Sequence, residues 1–124
     1  MTGLEWMALR KISNMNRDSK ITSSGNSVFI DGKMLDPLKS QKVRNHSPDG
    51  FMWGYGGSGP SQLALALLME ATTVEEALKY YQDFKMDHVA THHMEHYTLD
   101  ASVIYDWLDN AAGQTPVDRK ETNE

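Results

Sequence analysis

The chain contains no cysteine. Disulfides and thiolate metal sites are therefore excluded, which fits a reducing compartment. No apolar run approaches the ~20 residues that a bilayer-spanning helix needs. The N-terminal MTGLEWMALRK lacks the apolar core of a secretion signal, so the expected location is a cytoplasm. No Gly-Lys-Ser/Thr completes a P-loop, and no βαβ unit surrounds the glycines to make a dinucleotide fingerprint. No cofactor is expected, and no internal repeat is visible. What remains, 124 residues with 40% hydrophobic and 23% charged content, is an ordinary single-domain composition.

Charge is unevenly spread. Residues 1–44 carry eight Lys/Arg against four Asp/Glu, whereas residues 45–124 carry four against thirteen. A basic front of this kind suits a phosphate backbone or an acidic partner, but two solvated faces with no partner are the favoured account.

The chain is organised around Asn45 to Glu70 (NHSPDGFMWGYGGSGPSQLALALLME). Pro48-Asp49-Gly50 has turn chemistry. Phe51, Trp53 and Tyr55 alternate, which predicts a strand with three rings on one face. Gly54, Gly56, Gly57 and Gly59 form a loop, and Pro60 stands at what reads as the first helical position. Leu63 to Met69 is apolar on every side and predicts a helix buried all round.

Before this stretch, residues 1–27 read as a poorly defined lead with at most a short strand near Ile21. Val28 to Leu35 is two apolar runs separated by Asp31-Gly32, a hairpin signal. Asp36-Pro37 reads as closing the second strand, and Lys39 to Arg44 as a further basic strand with Val43 turned inward. After the buried helix, Thr73-Val74-Glu75-Glu76 is a capping box starting a second helix, expected to run to about Thr91. Its stripe is Val74, Ala77, Leu78, Tyr81 and Phe84. Thr98-Leu99-Asp100 predicts a third start, with Asp100 as cap and Val103, Ile104, Trp107 and Leu108 on the inner face. Residues 113–124 read as a flexible polar tail. The expected fold is α+β over residues 28–112, with a small, mostly antiparallel sheet of about three to four strands under about three helices.

Four constellations bear on function. The glycine loop entering a helix offers unpaired amides and a positive dipole end to an anion, with Gly56, Gly57, Ser58, Gly59, Ser61 and Gln62 as lining residues. The same glycines serve simply to turn the chain beneath a closely packed helix. Trp53 and Tyr55, with Arg44 and His46 nearby, form a candidate platform for a base; as core residues the aromatics need no ligand. His88, His92 and His96 would share a helical face at intervals of four, a weak metal signal without the glutamate a zincin requires. His46 with Asp49 could orient a base for Ser47 or Ser58, but no nucleophile stands in a recognisable context.

The block from Asn45 to Leu68 resembles the signature of a small domain-of-unknown-function family, found in short proteins of bacteria, archaea and their viruses. The likeness extends more loosely to Val28–Leu35, Tyr81–Lys85 and Ile104–Leu108, roughly two-thirds of the chain. It departs in the histidine run after Lys85 and in the lead before Val28. The resemblance implies one folded unit and carries no activity across.

A binding protein is thus favoured over an enzyme. The leading expectation is an accessory protein, phage-encoded if the viral likeness holds, that binds an anionic, nucleotide-like small molecule or a nucleic-acid segment at the glycine loop. The alternative is a protein-interaction inhibitor, for instance of a host defence nuclease complex, acting through Glu75, Glu76 and Asp83. A hydrolase using His46 is the weakest reading. No membrane partner is expected, and self-association is left open.

Overall fold

A computed structural model of the chain describes residues 15–91 and 98–113. Most of the expected N-terminal lead and of the expected polar tail lies outside the described residues. Within them the architecture is α+β, with a four-stranded antiparallel sheet and four helices around one core. Strands β1 (Lys20–Ser24), β2 (Ser27–Ile30), β3 (Lys33–Met34) and β4 (Thr98–Asp100) lie in the order β3-β2-β1-β4. The helices are α1 (Pro37–Val43), α2 (Ser58–Ala71), α3 (Val74–Phe84) and α4 (Ala101–Ala112), and a π-helical turn, Lys85–Val89, continues α3. None of these helices is long and apolar enough to cross a membrane.

The sheet shows why alternation matters. Ile21 stands opposite Ile30 on one side and Leu99 on the other, and Ser23 stands opposite Val28. Ile21, Ser23, Val28 and Leu99 are all buried, so one face closes on the core. β1 falls inside the stretch that reads as an N-terminal lead, yet it is a central strand of the sheet.

The hairpin at Asp31-Gly32 forms as its residues require. Both adopt positive φ, 52° and 80°, the combination a two-residue I′ turn needs. The Asp31 N–H donates to the Lys20 carbonyl and its carboxylate accepts from the Lys20 N–H, each at 2.9 Å. That backbone bond, with a second from the Ser19 hydroxyl, holds the Asp31 carboxyl below its ordinary range.

Two expected strands do not form. Residues 37–43 are helix α1, because Asp36 caps it by accepting from Leu38 N at 2.9 Å and Pro37 sits in its first turn. Phe51 to Tyr55 pairs with no strand among the described residues. The alternation still sends Phe51 and Trp53 into the core, but Tyr55 remains 47% exposed. Between Phe51 and Trp53, Met52 packs on Gly59 of α2.

Helix α2 is buried from Gly59 to Leu68 and lies between α1 and α3, as an all-apolar helix must. Thr73 Oγ1 accepts from Glu76 N at 3.1 Å and starts α3, whose Ala77, Tyr80, Tyr81 and Phe84 are buried. Leu78 and Val74, expected on the same stripe, are only half-buried.

Asp100 precedes α4, but its side chain makes no cap bond and pairs instead with Lys20. Arg17 reaches Asp106 and Asp109 on the same helix, and Tyr105 OH donates to the Met15 carbonyl at 3.0 Å. Trp107 packs edge-on against Tyr80 and Phe84 and donates to Asp87 at 2.8 Å. The last helix is thereby fastened both to the segment leading into β1 and to the end of α3.

Candidate functional site

The glycine loop, Gly54 to Gly57, rests on the π turn. Gly54 N donates to Val89 O at 3.1 Å, and Lys85 Nζ donates to Gly56 O at 3.1 Å. The turn itself is closed by Ala90 N donating to Lys85 O at 2.8 Å, a bond spanning five residues. π turns of this kind recur at functional sites. Its first residue, Lys85, is 8% exposed, and its ammonium reaches the loop at Gly56.

Beside it stands a second cationic group. His46 Nε2 lies 2.6 Å from Tyr81 OH, and Arg44 Nη1 lies 3.4 Å from the same oxygen. Arg44 is a donor only, so it directs the Tyr81 proton at Nε2 and leaves the imidazole proton on Nδ1. Burial pushes the His46 pKa below its ordinary 6.5, and the positive charges of Arg44 and Lys85 push it further. Among the described residues no carboxylate forms an ion pair with Arg44 or Lys85. Three cationic or cation-forming side chains therefore share one neighbourhood on a chain whose net charge is -5.

Gln62 holds this neighbourhood in place. Its side chain is fully buried on α2 and uses both ends of its amide. Oε1 accepts from His46 N at 2.7 Å and Ser47 N at 3.0 Å. Nε2 donates to Ser40 Oγ at 2.9 Å and Arg44 O at 3.1 Å. Four hydrogen bonds leave it nothing for a ligand, so its expected lining role is corrected to a positioning one.

The other expected lining residues divide. Trp53 is buried and presents no open face to a base. Ser61 donates to Gly57 O at 3.1 Å and is turned inward. Gly59 is buried against Met52, where an added Cβ would stand 2.6 Å from the Met52 side chain. Gly56 and Ser58 are exposed, and nothing among the described residues accepts from the Ser58 amide. Tyr55 is half-exposed, its ring lying against Gly57 where a Cβ would meet it at 2.3 Å.

Asp49 does not bond the His46 ring, whose partner is Tyr81. His88 lies on the π turn, 5.4 Å from the Phe84 ring, and burial lowers its pKa. His92 and His96 lie outside the described residues, among which no group of three or more metal-ligating side chains occurs. Glu75 and Asp83 are exposed on α3, and Glu76 is half-buried in its first turn. Sequence reasoning misses Tyr81 and Lys85 as site residues. They stand four apart at the end of α3, and that spacing is the available signal.

Comparison with known proteins agrees with the fold's extent. No curated protein and no solved structure matches the chain. A family model, described as a family of unknown function (DUF6166), matches residues 16–110, which take in the whole sheet and helices α1 to α3. The chain belongs to the DUF6166 family.

Proposed function

We propose that this chain is a non-enzymatic binding protein that holds an anionic small molecule at the glycine loop, against Arg44, His46 and Lys85. One observation carries the reading. Lys85 is a buried residue whose ammonium donates to the Gly56 carbonyl and forms no ion pair with a carboxylate among the described residues. A cation at a buried position is favoured by a counter-charge, and one carbonyl dipole is only a partial one. An anion beside Gly56 and Ser58 would supply the missing counter-charge. It would also meet the Ser58 amide at the positive end of α2.

The test is calorimetry with pyrophosphate at low salt. Binding should weaken at least about tenfold in Lys85→Met and in Arg44→Gln, a loss of about 1.4 kcal/mol each. Equal binding by all three proteins, or no binding to the unmodified chain, overturns the reading.

Inhibition of a protein partner through Glu75, Glu76 and Asp83 is the second reading, supported by the exposure of Glu75 and Asp83 on α3. It ranks lower because Glu75 and Glu76 already have a local role, offsetting the dipole in the first turn of that helix.

A further inference from the structure

Among the described residues, five large apolar side chains stand exposed: Met34, Leu38, Met52, Tyr55 and Met86. Three of them border the glycine loop. Met52 lies against Gly59, the Tyr55 ring against Gly57, and Met86 Sδ within 3.9 Å of where a Gly56 Cβ would be. An apolar rim therefore adjoins the cationic cluster, and the two meet at Gly56, whose carbonyl accepts from Lys85.

The ring at the centre of that rim is braced. With no side chain on Gly57, the Tyr55 ring packs directly on the backbone, and it still keeps 47% of its surface in solvent. A half-open aromatic group held against main chain is suited to stack a second flat ring. The flanking thioethers are polarizable and adapt to an aromatic edge. A peptide is less well served here, because the loop is not a strand and offers no edge to pair with.

We propose that the anion is the phosphate of a nucleotide whose base stacks on Tyr55 while Arg44 and Lys85 carry the phosphate. The proposal rests on the anion-binding reading and adds a base to it. The Tyr55 ring lies against Gly57 and the Lys85 ammonium donates to the Gly56 carbonyl, so ring and cation are held by neighbouring residues of one loop. The same chemistry is presented by a free mononucleotide and by a segment of single-stranded nucleic acid.

The experiment compares adenosine 5′-monophosphate with ribose 5-phosphate, which carries the same phosphate and no base. The nucleotide should bind about tenfold more tightly to the unmodified chain. That ratio should fall towards one in Tyr55→Leu and persist in Tyr55→Trp. Gly57→Ala should lower it as well, because the new Cβ displaces the ring without altering it. A tetranucleotide of deoxyadenosine separates the two sources. Affinity well above that of the mononucleotide, and steeply dependent on salt, assigns the site to a strand, while equal affinity assigns it to the free nucleotide. If both phosphates bind equally and Tyr55→Leu changes nothing, the base platform is overturned and the anion site stands. Binding of neither removes both.

Discussion

His46 Nε2 and the Tyr81 hydroxyl lie 2.6 Å apart, joining the segment before the glycine loop to the last turn of α3. Both the bond and its surroundings favour a neutral imidazole. Folded His46 therefore holds fewer protons than unfolded His46, and burial gives His88 the same sign. Stability should be fully present above the ordinary histidine value of 6.5 and be lost as pH falls through it towards the lower folded values. Urea midpoints should rise between about pH 5 and 7 and then level off. His46→Gln should flatten that rise. A midpoint that falls over the same interval would contradict the assignment.

Gln62→Leu should be among the most destabilising single changes available. It approximately preserves volume but strands the His46 and Ser47 amides and the Arg44 carbonyl, and leaves the Ser40 hydroxyl only its bond to the Pro37 carbonyl. At about 1–3 kcal/mol for each unsatisfied buried group, a total loss of about 3 kcal/mol or more is expected in urea unfolding. A loss below about 1 kcal/mol would mean that water replaces the amide.

Lys85→Met should separate stability from binding. It keeps an apolar stem of similar length at a buried position and removes the ammonium. The melting temperature should hold or rise while pyrophosphate binding is lost. A large drop in melting temperature would instead make the Gly56 contact structural.

Gly32→Ala should cost about 1–2 kcal/mol, because φ is +80° there and a Cβ disfavours that region even where the surrounding space is open. Chemical denaturation is the measurement. No loss would mean that the hairpin can adopt a different turn.

Much of the architecture is legible in the sequence, each part for a local reason. Asp31-Gly32, the Thr73 cap and the all-apolar run after Gln62 fix their own structure through turn chemistry, capping and burial. Lys39 to Arg44 reads as a strand only when its polarity is weighed above Asp36-Pro37, a cap and first-turn pair that starts α1. Phe51, Trp53 and Tyr55 alternate as a strand would, yet alternation specifies only which rings go inward and cannot supply a pairing partner. The site is less legible still. Gln62 stands at the head of an apolar run, and a buried amide needs partners at both ends, but naming Ser40 and His46 takes the folded chain. Tyr81 reaches His46 from α3 itself, whereas Lys85 and Val89 meet the loop from the π turn that follows Phe84.

That turn has a cost and a use. Each of its hydrogen bonds encloses one residue more than an α-helical bond, a geometry that most sequences avoid. Here it gives the loop two moorings from five consecutive residues, an ammonium at the first and a carbonyl at the last. Shortening the segment by one position would let the spiral run on undisturbed, but both moorings could no longer reach. Evolution could thus discard the loop's chemistry by a single deletion and keep the scaffold whole.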